Sequence, residues 1–149
     1  MPPLGCGQPG GSTGARNQTL GALLWLAIEQ IRQPLKLFDS SAGFLLADGS
    51  VRSPDASVVR LERWQALSEA ERDGFPPLCP DLVVELAVYM ANGASLGWLL
   101  LPQSRSVEVW KAGAAETAHS PLVFTFPARL EAGPEFPGLA IDPRRIWEV

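Results

Sequence analysis

The chain has 149 residues, of which 46% are hydrophobic and 19% charged, with a net charge of −4 and a pI near 5.0. That size suits one domain around one core, and the composition excludes a chain disordered throughout. An acidic protein gets no bulk electrostatic help in approaching a phosphate backbone, so contact with nucleic acid needs a local basic patch or a bound cation.

Residues 1–15 are rich in Gly and Pro without an apolar period and are expected to form a flexible tail, leaving residues 16–149 as a single domain. No charged segment leads into an apolar core there, so the start does not have the pattern of a signal peptide. From Asn17 to about Arg32, Leu20, Leu23, Leu24, Ala27, Ile28 and Ile31 recur at helical spacing. The spacing predicts an amphipathic helix that Pro34 ends and that Thr13 or Asn17 caps. Its apolar stretch is too short to span a bilayer, and a cytoplasmic protein without a membrane partner is expected.

Short strands follow at residues 35–39 and 42–47, with Asp48-Gly49 turning the chain into Val51. Residues 55–59 continue as a strand after Pro54. The polar stretch 60–73 reads as a surface excursion in which Arg60, Arg63 and Arg72 alternate with Glu62, Glu69 and Glu71, the pattern of a salt-laced face. The run Asp81-Leu82-Val83-Val84-Glu85-Leu86 has the aliphatic, β-branched character of a strand covered on both faces. A helical turn is expected near residues 88–94, then strands at 95–101, 106–111 and 122–126, and a short terminal helix at 144–147. The five tryptophans Trp25, Trp64, Trp98, Trp110 and Trp147 fall at positions expected in the core. The sum is an α+β (α/β-like) fold with a mixed central sheet, a long N-terminal helix and few flanking helices.

Cys6 and Cys79 lie in no Cys/His cluster, which argues against a zinc site or a disulfide framework and fits free thiols in a reducing compartment. His119, the sole histidine, sits in a Gly/Ala/Ser loop and is expected to be simply exposed. Two carboxylates carry more chemistry. Asp55 enters one strand after Ser53-Pro54, and Glu85 lies thirty positions later near the end of an apolar strand. A charge inside such a strand is costly unless paired or exposed. On neighbouring strands the two would converge beside the sheet, and Asp81 shares the face of Glu85 by the period of two. Converging carboxylates suit Mg²⁺, a hard cation that takes oxygen ligands. The alternative is that each is simply solvated at a strand end.

The ordered set Gly43-Phe44-Leu45-Leu46, Asp48-Gly49, Ser53-Pro54-Asp55, Gly74-Phe75-Pro76, Asp81-Leu82-Val83-Val84-Glu85, Asn92-Gly93-Ala94, Leu96-Gly97-Trp98-Leu99, Val107-Glu108-Val109-Trp110 and Phe136-Pro137-Gly138-Leu139 resembles the Uma-type restriction endonuclease family of the PD-(D/E)XK nuclease superfamily. Gly14-Ala15-Arg16-Asn17 resembles that family's entry into its first helix. The resemblance implies a restriction-endonuclease-like fold, Mg²⁺ or Mn²⁺ as cofactor, DNA as substrate and phosphodiester hydrolysis. It also implies that Asp55 and Glu85 are the catalytic metal ligands and that the protein acts as a homodimer.

The sequence departs from this pattern just after Glu85. A Ser/Pro turn and a helix with a basic residue are expected there, whereas Leu86 runs into Ala87-Val88-Tyr89 and on to Asn92-Gly93. Ala87 stands where an in-line E-x-K motif has its lysine. That lysine offsets charge in the transition state, and its loss is expected to cost about a hundredfold or more in rate. Lys111 is the one lysine downstream of Lys36 and reads as a solvated strand end. Beside the endonuclease stand two alternatives: an inactive nuclease-fold module for binding or assembly, and the remnant of a once complete gene.

Overall fold

The computed structural model describes residues 10–84, 93–112 and 121–148. Helix α1 spans Gly11–Ile31 and closes on Arg32 in the left-handed region, with φ 52°. It starts earlier than its apolar stripe, so residues 11–15, expected in the tail, are helical. Gly10 occupies the cap position without a side-chain bond, and neither Thr13 nor Asn17 caps the helix. Leu20, Leu24, Ala27 and Ile28 form the buried stripe the spacing predicts.

Six strands form the main sheet: β1 (Leu35–Asp39), β4 (Ala56–Arg60), β5 (Leu82–Val84), β6 (Leu96–Leu101), β7 (Ser106–Lys111) and β8 (Leu122–Thr125), in the spatial order β1-β4-β5-β6-β7-β8. Only β5 and β6 run parallel; every other neighbouring pair is antiparallel. The parallel step needs a crossover between Val84 and Leu96, and much of it, residues 85–92, lies outside the described residues. The fold is therefore α+β with a mixed central sheet.

Alternation along the strands divides the core in two. Ala56, Val58, Leu82, Val84, Leu96, Trp98, Val107 and Val109 face α1 and the C-terminal segment. Val59 and Val83 point to the opposite face, where Phe44, Leu46, Leu78 and Cys79 cover them. Phe44 and Leu46 come from a hairpin of β2 (Phe44–Leu45) and β3 (Val51–Arg52), turned at Asp48-Gly49 with Gly49 at φ +85°. Two short helices, α2 (Leu61–Gln65) and α3 (Glu69–Asp73), occupy the polar excursion.

The closing segment adds a ribbon that the sequence did not announce, β9 (Leu130–Glu131) paired with β10 (Ala140–Ile141), before α4 (Arg144–Trp147). Phe136 and Leu139 of the Phe-Pro-Gly-Leu signature are buried in the α1-side core. Trp98 and Trp147 are core residues as expected, but Trp25 is 55% exposed on the outer face of α1. No helix among the described residues is long and apolar enough to cross a membrane.

Candidate active site

Asp55 sits in the bend just ahead of β4, and its side chain turns toward α1. The Asn17 side-chain amide donates to Asp55 Oδ1 at 3.4 Å, linking helix and strand across the sheet end. This contact is the work of Asn17, in place of the capping role its residue type suggests. Burial pushes the Asp55 carboxyl above the usual carboxylate range, and the Asn17 bond offsets part of that rise.

The carboxylate opens onto a cavity of about 210 Å³ at the ends of the central strands. Its wall includes Thr13, Arg16 and Asn17 from α1, Val84 at the end of β5, Leu99 and Leu100 of β6, and Trp147 of α4. The position follows from topology. In the register Ala56↔Val84 and Val84↔Trp98, the entry of β4, the exit of β5 and the middle of β6 share one end of the sheet. Glu85, the second expected ligand, lies outside the described residues, as do Ala87, Tyr89, His119 and Cys6.

Asp81 has a different fate from the one its strand period suggests. Its carboxylate receives Arg63 Nη1 at 2.8 Å and the backbone N–H of Arg60 at 2.9 Å. Its own carbonyl accepts from Ser95 and Leu96, and its N–H donates to Val58. Asp81 is thus a 7% exposed clamp joining β4, β5, β6 and α2 at the opposite end of β5 from Val84. The expected surface charge lattice is replaced by these bonds. Arg60 and Arg63 turn inward to Asp81, Arg72 donates to the Trp64 and Gln65 carbonyls, and Glu71 closes a capping box with Ser68. Lys111 pairs with Leu96, two rungs from the Trp98↔Val109 rung and toward the Asp81 end. It is exposed and, among the described residues, reaches the Gly133 carbonyl at 3.5 Å.

Arg16 and Trp147 line this cavity, where the sequence suggested only a helix entry and a core tryptophan. One signal was present: Arg16 is the only charged residue ahead of Glu29. Among the described residues no group of three or more His, Cys, Asp or Glu side chains is gathered to hold a metal. Asp55 offers oxygen ligands of the kind a hard divalent cation takes, so the donor chemistry fits such an ion, with further ligands needed from elsewhere.

Residues 6–144 match the model of the Uma2 family, described as "putative restriction endonuclease". The chain belongs to that family. A solved structure of a putative nuclease of the DUF820 group from Anabaena variabilis aligns over 94% of this chain and 82% of its own, with a TM-score of 0.71 and 16% identity. At that identity the likeness concerns the fold, and it bears out the nuclease-like architecture read from the Uma2 motifs. No curated protein gives a significant match.

Proposed function

We propose that this Uma2 member is a divalent-metal-dependent endodeoxyribonuclease of the PD-(D/E)XK type, with Asp55 and Glu85 as its metal-binding carboxylates. The observation that carries the proposal is the position of Asp55. It is half-buried, its carboxyl is raised by desolvation, and it stands beside a cavity at the junction of β4, β5 and β6. The antiparallel register of β4 with β5 ends on Ala56↔Val84, and the residues next in sequence are Asp55 and Glu85. A carboxylate kept partly dry at such a junction is disfavoured for folding alone and supports a functional site there.

Mg²⁺ or Mn²⁺ bound there would polarise a phosphodiester and lower the pKa of a water. The chain's own part is to hold the ion through Asp55 and Glu85, to fix Asp55 through Asn17, and to exclude bulk water with Leu20, Val84 and Leu100. DNA in the cytoplasm is the substrate of this reading, with two copies of the chain acting on its two strands.

A second reading is an inactive nuclease-fold module, favoured by Ala87 in the lysine position and by Lys111 at the other end of the sheet. Plasmid nicking in Mg²⁺ and in Mn²⁺, by the native chain and by Asp55→Ala and Glu85→Ala, separates the two. Metal-dependent nicking lost in both variants is the expected result. A folded native chain that leaves plasmid intact at high concentration would sink the enzyme reading and leave the binding module.

A further inference from the structure

Two residues of the Asp55 cavity wall carry a buried N–H group without an acceptor among the described residues. Arg16 Nε and Trp147 Nε1 are both shielded from solvent, and neither has a hydrogen-bond partner among the described residues. Both residues line the same cavity as Asp55. A buried donor left unmade is unfavourable, and native folds tolerate few of them. Two on residues of one cavity wall, one of them part of a guanidinium, point to an acceptor that carries negative charge.

Arg16 forms no ion pair with Asp55 in the structure, although its neighbour Asn17 touches that carboxylate. Among the described residues the cavity therefore presents a carboxylate on one side and a cation without an ion pair on another. A divalent cation suits the first and a phosphate oxygen suits the second, and a DNA phosphodiester held on a metal supplies both at once. The sequence also lacks a cation at position 87, and Lys111 is directed to Gly133.

We infer that Arg16, together with Trp147 Nε1, binds a non-bridging oxygen of the DNA phosphodiester at the Asp55 cavity and supplies the positive charge that Ala87 cannot. This rests on the nuclease reading and adds to it a substrate-binding residue on α1. The guanidinium stays protonated at any working pH, so Arg16 neutralises charge and orients the phosphate without accepting a proton. The arrangement replaces the electrostatic half of the lysine's task and not its handling of the water.

The test is fluorescence anisotropy of a short labelled DNA duplex in Ca²⁺ over a range of salt, for the native chain, Arg16→Ala, Arg16→Lys and Trp147→Phe. Thermal unfolding of each protein checks the fold. Arg16→Ala is expected to weaken binding about tenfold and to reduce the salt slope by about one, the signature of a lost phosphate contact. Arg16→Lys should keep the slope, and Trp147→Phe should weaken binding about threefold while leaving the slope unchanged, as loss of an uncharged donor does. Native affinity and native slope in Arg16→Ala would overturn the inference while leaving the nuclease reading to the Asp55 and Glu85 variants. A native chain that binds no duplex would remove both.

Discussion

Asn17 and Asp55, thirty-eight positions apart, meet at 3.4 Å across the end of the sheet. The bond joins the second turn of α1 to the bend before β4, and it holds the one described carboxylate of the candidate site against the helix. Asn17 is a poor choice for a helix interior on propensity alone, so its position is explained by what it holds.

In metal-free protein Asp55 should act against stability. Its folded pKa is raised by burial above the ordinary value of 3.8, so the folded state holds the proton more tightly than the unfolded chain does. Stability is then greatest below the ordinary pKa, falls as pH rises through the raised folded pKa, and stays lowered above it. Asp55→Asn, measured by thermal unfolding in EDTA, is expected to raise Tm by about 1–3 °C at neutral pH. The gain should vanish toward acid pH. A lower Tm at neutral pH would show that the charged form is stabilised by a partner.

Asp81 should contribute to stability through its bonds to Arg63 and the Arg60 N–H. Removing it by Asp81→Ala strands Arg63 and the Arg60 N–H at a nearly buried position. The expected loss is about 2–4 kcal/mol, discounted at the upper end because the Arg63 side chain is 38% exposed. Urea denaturation measures it. Metal binding by the folded fraction, followed by titration calorimetry with Mn²⁺, should be retained, in contrast to Asp55→Ala.

Gly138 explains part of the Phe-Pro-Gly-Leu signature. It adopts φ +82°, and a Cβ there would stand 3.4 Å from Ile31 Cγ2 on α1. Gly138→Ala is expected to cost about 1–2 kcal/mol, mainly from the backbone conformation. A variant as stable as the native chain in urea would show that this turn relaxes freely.

Strand β8 exposes Leu122, Val123 and Phe124, and among the described residues it pairs only with β7. It carries no charged residue between Pro121 and Pro127. Such an edge favours association. Val123→Lys should raise the concentration at which light scattering appears by severalfold and shift Tm by less than about 2 °C, because the side chain is 59% exposed.

The local pattern carried the elements whose residues answer to their own neighbours in sequence. The stripe from Leu20 to Ile31, the alternation of Val107 and Val109, and the Asp48-Gly49 turn each encode a short-range geometry, and each formed where expected. The Uma2 motifs likewise named the family, since ordered motifs survive in a linear reading. The start of α1 escaped that reading because Gly11 and Gly14 are poor helix formers and are exposed, and the helix anchored by the buried stripe from Leu20 onward runs back through them. The β9–β10 ribbon escaped it because two-residue strands have no period to detect.

Partner choice was decided only in three dimensions. Asp55 and Asp81 are chemically identical and both stand just ahead of a strand, yet one faces Asn17 and a cavity while the other is clamped by Arg63 and the Arg60 N–H. The strand period says which face a side chain occupies and nothing about which distant cation or amide arrives there. That depends on the sheet order, which places α2 over the Asp81 end of β5 and the second turn of α1 beside the entry of β4. Arg16 is the same case: a lone charge in the sequence, and a donor at a cavity wall only once α1 has packed against the ends of the strands.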